Sequence, residues 1–78
     1  MELNERIEKS IAIFKENIKR IDILELSGKE LKVVELAKMY HSDAESWIKK
    51  GDYVTAFSSI EYAHGLLDAV LKIKEGDV

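Results

Sequence analysis

The sequence has no cysteine and no proline, and only four of its 78 residues are glycine. Without cysteine, the chain has no disulfide framework, no thiolate metal site and no thiol nucleophile. The lack of proline and the scarcity of glycine argue against a turn-rich β fold and favour long helices. No apolar run approaches the ~18 residues of a membrane-spanning helix. The opening MELNERIEKS mixes acids and bases, unlike a signal or transit peptide. We therefore expect a cytoplasmic protein with no membrane contact.

The charge balance is mildly acidic and the chain is short. Twelve lysine and arginine residues stand against 15 acidic residues, which gives a net charge of −3. That balance provides no basic footprint for nucleic acid, so no nucleic-acid partner is expected. The length predicts a single domain over residues 1–78. Its core is thin enough that a protein partner or a second copy would help to complete it.

Three segments place apolar residues three or four positions apart, the spacing of one helix face. The first stripe consists of Ile7, Ile11, Phe14, Ile18 and Ile21. The second consists of Val33, Ala37, Tyr40, Ala44 and Trp47. The third segment carries two stripes, one of Tyr53, Phe57, Ile60, His64, Leu67 and Leu71, and one of Tyr62, Leu66, Ala69 and Ile73. We predict helices over residues 3–24, 28–50 and 52–74.

Local signals define the ends of these helices. Asn4 is a candidate cap for the first helix, and the alternative is that Leu3 extends the apolar stripe by one turn. Ser27 followed by Glu30 has the spacing of a capping box at the start of the second. Gly51 suits a left-handed position after the second helix, and Asp52 suits the cap of the third. Because this connection is so short, helices two and three are predicted to form an antiparallel hairpin. The predicted fold is an all-α, three-helix bundle of up-down-up topology.

The two apolar stripes of the third helix predict burial on two sides. A glycine in the middle of a helix costs roughly 1 kcal/mol relative to alanine. We therefore expect Gly65 to mark a close approach between two helices.

The stretch from Tyr40 to Ala69 resembles a known family. It reads Tyr40-x-x-Asp43-Ala44, then Gly51-Asp52, Ala56-Phe57 and Tyr62-Ala63-x-Gly65-x-Leu67-Asp68-Ala69. These motifs resemble the small archaeal helical proteins of domain-of-unknown-function family 357. The resemblance covers helices two and three and the turn between them. It implies a three-helix bundle from an archaeal cytoplasm and implies no activity, because the family has none assigned.

Four polar residues are predicted to lie at similar levels of the hairpin: Tyr40, Asp43, His64 and Asp68. A carboxylate, an imidazole and a phenol in contact would perturb one another's pKa and form a small ligand or acid–base site. The alternative is a structural hydrogen-bonded cluster that fixes the register of the hairpin, because buried polar groups need partners. We favour the structural interpretation.

Glu61-x-x-His64 matches half of the motif of di-metal carboxylate bundles. Such a site needs a second motif and further carboxylates, so a metal would require a dimer, and we expect no metal and no other cofactor. Trp47 and Tyr53 are candidate interface residues, since both types are enriched at binding hot spots. His41 is expected to face solvent.

Two functional hypotheses follow. The first is a non-enzymatic helical interaction module that docks to a partner or self-associates as a homodimer, because the core is small and apolar residues are left over. The alternative is a small ligand- or metal-binding protein that uses the polar residues of helices two and three. Catalysis is not expected, because a bundle of this size lacks the walls of a deep substrate pocket.

Overall fold

A computed structural model describes residues 2–76 of the chain. Three helices account for this part: α1 over Leu3–Asp22, α2 over Gly28–Lys49 and α3 over Tyr53–Glu75. The all-α prediction is confirmed. The domain predicted over 1–78 includes residues 1, 77 and 78, which lie outside the described part. No helix between residues 2 and 76 is both long enough and apolar enough to cross a lipid bilayer.

The start of α2 follows the predicted capping box. The hydroxyl of Ser27 accepts a hydrogen bond from the backbone N–H of Glu30 at 3.1 Å. The carboxylate of Glu30 in turn accepts one from the backbone N–H of Ser27 at 2.8 Å. Two donors of the first helical turn are thereby satisfied.

The cap predicted for α1 is wrong. Glu2 occupies the capping position and makes no side-chain capping bond. Asn4 already lies inside the helix, and its side-chain oxygen accepts a hydrogen bond from the N–H of Glu5. The helix starts earlier because Leu3 stands four residues before Ile7 and extends the apolar stripe by a turn.

The connection between α2 and α3 is a Schellman turn. Gly51 has a positive φ of 80°. Its N–H donates to the carbonyl of Ile48, and the N–H of Asp52 donates to the carbonyl of Trp47. Asp52 then caps α3 by accepting hydrogen bonds from the N–H and the hydroxyl of Thr55. These contacts satisfy the last carbonyls of α2 and the first donors of α3 within a few residues.

The core is organised around α3, because α1 and α2 each pack mainly against it and little against each other. These two neighbours explain only part of the wide apolar arc of α3. In the second predicted stripe, Tyr62, Ala69 and Ile73 are exposed and Leu66 is half-buried, so that stripe is not buried as predicted. The following side chains form the buried cluster: Phe14, Ile21, Val34, Ala37, Ala44, Ile60, Ala63, Leu67, Val70 and Leu71. Alanine recurs where α2 meets α3, which allows the two backbones to approach closely.

Gly65 does not mark a close approach, contrary to the sequence-based expectation. A Cβ atom built on this glycine meets no heavy atom within 4 Å. Gly65 lies on the exposed side of α3. The reason is rotational: two residues from the buried Ala63, a side chain points about 200° around the helix axis.

Polar contacts tie α3 to both neighbours. The hydroxyl of Ser10 donates to the carboxylate of Glu61 at 2.6 Å. Near the other end of α1, Arg20 forms an ion pair with Glu75. Lys74 reaches α2, where its Nζ lies 2.8 Å from a carboxylate oxygen of Glu30.

Candidate functional site

The four residues of the predicted polar cluster have different neighbours. Tyr40 is half-buried and meets Tyr62 edge-on, with 4.6 Å between the ring centroids. Asp43 is exposed. Asp68 lies 3.5 Å from Nζ of Lys72, one turn further along α3. Among residues 2–76, no hydrogen bond or ion pair joins any two of the four cluster residues.

The rotation of α3 accounts for this separation. Tyr62 is the residue of α3 that contacts Tyr40. His64 follows two positions later and therefore points about 200° around the helix axis from Tyr62. The sequence-based estimate compared only the positions of the residues along the helix axes. It did not consider the direction in which each side chain points around its helix. The cluster stays a prediction for which the structure provides no shared contact.

In the half-motif Glu61-x-x-His64, the side chain of Glu61 is hydrogen-bonded to a residue of α1. The carboxylate of Glu61 accepts the hydrogen bond from Ser10 described above. Within the described part of the chain, no group of three or more His, Asp and Glu side chains is placed to hold a metal ion.

The two candidate interface residues lie on either side of the α2–α3 connection in sequence and have different neighbours. Trp47 is half-buried, and Nζ of Lys50 lies 4.7 Å from the centroid of its ring. Tyr53 is exposed and lines a small cleft of about 110 Å³ next to Ile7 and Ile48. Their role as interface residues stays a prediction.

His41 does not face solvent, and the expectation was wrong. Its side chain is only 16% exposed. It stacks on Phe14 with 4.6 Å between ring centroids and 7° between ring planes. The position was misjudged because a second stripe, which shares Ala37 and Ala44 with the stripe used for prediction, fits the helical period equally well. That stripe comprises Val34, Ala37, His41, Ala44 and Ile48.

The environment of His41 favours the neutral imidazole. Burial lowers the pKa of His41 below its ordinary value of 6.5. The carboxylate of Glu45 opposes this shift and Lys15 reinforces it. Nε2 of His41 is buried and has no hydrogen-bond partner within residues 2–76. The faces of the ring therefore act as apolar packing surface, although the ring also carries two polar nitrogen atoms.

Beside His41, α1 and α2 leave a groove, because both helices pack on α3 and not on each other. We call it the α1–α2 groove. It is open to solvent, has a volume of about 430 Å³ and is lined by Phe14, Ile18, His41, Lys15, Lys19 and Lys38. Towards the α1–α2 connection lies a second open recess of about 280 Å³, which shares Lys38 with the groove and has a mainly aliphatic lining that also includes Asp22. Sequence reasoning missed this groove, because its residues come from two helices whose relative placement periodicity does not predict.

A second apolar surface is formed by exposed and half-buried residues of α2 and α3. We call it the α2–α3 face. It carries Leu36, Met39, Tyr40, Tyr62, Leu66 and Ile73. Met39, Tyr62 and Ile73 are 59%, 52% and 58% exposed. The contact between Tyr40 and Tyr62 joins the two helices within this face.

Comparison with known families shows which family the chain belongs to. The model of a family described as a protein of unknown function, domain-of-unknown-function family 357, matches residues 9–74. The chain belongs to this family. No curated protein is detectably similar to it.

The match to family 357 extends further than the motifs from which the resemblance was drawn. Those motifs lie between Tyr40 and Ala69, whereas the family model begins at Lys9, in the second turn of α1. The matched range therefore includes most of α1, all of α2 and nearly all of α3. Both the α1–α2 groove and the α2–α3 face are formed by residues within the matched range.

Proposed function

We propose that this member of family 357 is a non-enzymatic helical interaction module that self-associates through the α2–α3 face. The observation that carries the proposal is the exposure of large apolar side chains on that face, at Leu36, Met39, Tyr62 and Ile73. Contiguous exposed apolar surface on a small domain is typical of a protein interface. A cytoplasmic location in an archaeal cell, as the resemblance implies, is part of the same proposal.

The proposed topology is an up-down-up bundle in which α2 and α3 are antiparallel. Four contacts support it, two between α2 and α3 and two between α1 and α3. Tyr40 meets Tyr62, and Glu30, further from the turn on α2, meets Lys74, further from the turn on α3. This order is the one expected of a hairpin. Ser10 contacts Glu61, and Arg20, further along α1, contacts Glu75, further along α3. Contacts in this order are expected when α1 and α3 run parallel.

A second copy is the partner we propose, because the outer side of α2 is complementary to itself. Lys32, Leu36, Met39 and Asp43 are exposed and spaced four, three and four residues apart, so they form one stripe along the helix. The stripe has a cation at one end, an anion at the other and two apolar residues between them.

A two-fold axis between Leu36 and Met39 would pair this stripe with its copy. Two antiparallel α2 helices then place Leu36 opposite Met39 of the other copy. They also place Lys32 opposite Asp43 of the other copy, twice in each dimer. Such an isologous contact closes on itself and does not propagate into fibres. Tyr62 and Ile73 of α3 would border the contact on one side.

The first test is sedimentation velocity over a concentration series. Met39→Glu places a charge in the centre of the proposed contact and should weaken dimerisation by at least about tenfold. Val54→Glu is the matched control: Val54 is 70% exposed on α3 and lies outside the α2–α3 face. Neither substitution removes a buried side chain, so both variants should keep their helical circular dichroism.

Charge reversals test the geometry. Lys32→Glu alone and Asp43→Lys alone bring like charges together and should each weaken the dimer. The double variant restores both pairs and should recover most of the affinity. A wild-type protein that stays monomeric at every concentration tested would overturn the proposal. So would a dimer that Met39→Glu and Val54→Glu affect equally.

A further inference from the structure

The first two helices of the bundle end in different ways. α2 is followed by Gly51, the left-handed glycine of a Schellman turn, which is a common stop signal of a helix. α1 is followed by Ile23 in the right-handed helical region, and among residues 2–76 only Gly51 and Gly76 have a positive φ. The N–H of Leu24 still donates to the carbonyl of Ile21. The backbone therefore leaves α1 without a residue that stops the helix.

The α1–α2 connection, residues 23–27, also contains no residue that would break a continuous helix. It reads Ile-Leu-Glu-Leu-Ser, without glycine or proline, and leucine and glutamate are among the better helix formers. Ile23 is 85% exposed, so it does not hold the connection in place. What keeps the connection bent is the packing of Leu24 and Leu26 against the core and the capping box at Ser27. A straightened connection would join α1 and α2 into one long helix.

The contacts of α1 lead mainly to α3. The two helices pack against each other, whereas α1 and α2 touch little. The polar pairs that Ser10 and Arg20 form both join α1 to α3. The stack of Phe14 on His41 joins α1 to α2. All of these contacts are made with the surface of the α2–α3 pair, and α1 of another copy of the chain can make the same ones.

We infer that two copies of this chain exchange their first helices, so that α1 of each copy packs on α3 of the other. We call this arrangement the α1-exchanged dimer. In it the two α1–α2 connections are straight and cross at a two-fold axis. Only the connections differ from the closed monomer, because every contact of α1 is made again with the second copy. Exchange of an identical element is a low-cost route to a dimer for this reason.

The directions of the helices allow the exchange to close after two copies. In the up-down-up topology proposed above, α1 runs parallel to α3 and antiparallel to α2. When the connection straightens, α1 takes the direction of α2. A two-fold axis perpendicular to the long helix reverses the second copy, so its α3 runs parallel to α1 of the first. This is the relative direction that α1 and α3 have within one chain.

The exchange does not depend on the α2–α3 face. Met39, Tyr62 and Ile73 of that face are exposed while α1 lies on α3, so an exchanged α1 leaves them free as well. The closed monomer is favoured at low protein concentration, because Leu24 and Leu26 pack against its core. The α1-exchanged dimer should therefore form when the chain refolds at high protein concentration.

The test uses the absence of cysteine from the chain, which allows site-specific cross-linking without background. One variant carries Ser10→Cys and a second carries Glu61→Cys, at two positions that are hydrogen-bonded between α1 and α3. Both also carry Met39→Glu, which disrupts the α2–α3 face. Equal amounts are unfolded together in urea, refolded at a series of protein concentrations and treated with a short bis-maleimide. Mass spectrometry then measures the cross-link between positions 10 and 61, whose yield should increase with concentration.

A matched pair of variants controls for random collisions between chains. Tyr40→Cys and Tyr62→Cys, again with Met39→Glu, mark the contact between α2 and α3. Both helices of that contact stay in one chain in the closed monomer and in the α1-exchanged dimer. Mixed chains of the control pair should therefore give only the background yield between positions 40 and 62.

Variants of the connection test whether it straightens. Ile23→Ala/Glu25→Ala and Ile23→Gly/Glu25→Gly remove the same two exposed side chains. Alanine favours a continuous helix through the connection and glycine disfavours it, so the alanine variant should give an at least about threefold higher yield between positions 10 and 61. Equal yields from the two variants would overturn the inference.

The outcomes separate the α1-exchanged dimer from the contact proposed above. A yield between positions 10 and 61 that never exceeds the control pair would overturn the exchange, even if sedimentation showed a dimer that Met39→Glu dissociates. That result would leave the α2–α3 face as the contact. A yield above the control pair in chains that carry Met39→Glu supports the exchange, whether or not the α2–α3 face contributes to self-association.

Discussion

The imidazole of His41 lies flat against the phenyl ring of Phe14, with 4.6 Å between the centroids. This stack connects α1 to α2, two helices that otherwise pack mainly on α3. Burial lowers the pKa of His41, and of the two charged groups that act on it, Glu45 opposes the shift and Lys15 adds to it. In the unfolded chain the imidazole returns to its ordinary pKa of 6.5. The unfolded state therefore binds a proton more readily than the folded state does.

Because the unfolded state binds the proton more readily, we predict that the free energy of unfolding decreases as the pH falls. The contribution of His41 is fully present above pH 6.5, the unfolded value. It decreases as the pH falls from there through the lower pKa of the folded state, and it does not change further below that. Urea unfolding at several pH values between 5.5 and 7.5 measures the slope of the free energy of unfolding against pH.

The variant His41→Leu should show a smaller slope than the wild type over that range, whatever its absolute stability. His64→Gln is the control, because it removes the other histidine of the chain and leaves the ring stack intact. A slope that disappears in His64→Gln and persists in His41→Leu would contradict the prediction.

Gly65 provides a second prediction, because its surroundings are open. A Cβ at this position meets nothing within 4 Å, and its φ is not positive. Gly65→Ala should therefore raise the free energy of unfolding by about 0.5–1 kcal/mol, through better helix propensity and a less flexible unfolded chain. Thermal and urea unfolding of the variant measure the change.

Gly51 is the contrasting case. It also has open space around it, but its φ of 80° lies in the left-handed region. Gly51→Ala should lower the free energy of unfolding by about 1 kcal/mol, since a side chain is strained in that conformation. If alanine were tolerated equally at both positions, local backbone conformation would not govern the stability of the α2–α3 connection.

What the sequence predicted well was local. The capping box at Ser27, the turn at Gly51 and the cap at Asp52 each depend on residues within four positions of one another. Such contacts form largely independently of the rest of the fold, so residue type and spacing predict them.

What the sequence predicted poorly was rotation about the helix axes. His41 and Gly65 were misplaced around their helices. The proposed neighbours Tyr40 and His64 stay a prediction, since no hydrogen bond joins them within residues 2–76. In α2 two stripes that share Ala37 and Ala44 have the same period. Which of them turns towards α1 depends on where α1 lies on α3, and periodicity within one helix carries no such information.

Leu67 is the residue on which the central position of α3 is best tested. It is fully buried in the cluster that α3 shares with α1 and α2. Leu67→Ala leaves a cavity that neighbours on both sides can fill only in part, so the free energy of unfolding should fall by about 2–5 kcal/mol. Because a small domain has only about 5–15 kcal/mol of stability, this single change should shift the unfolding transition strongly.

The control for Leu67→Ala is Val54→Ala on the same helix. Val54 is exposed, and its truncation should change the free energy of unfolding by no more than about 0.5 kcal/mol. Both variants should be compared by urea unfolding at low protein concentration, where self-association does not contribute. If Leu67→Ala cost no more than Val54→Ala, the cluster around α3 would be loosely packed, and α3 would not be the element that holds α1 and α2 together.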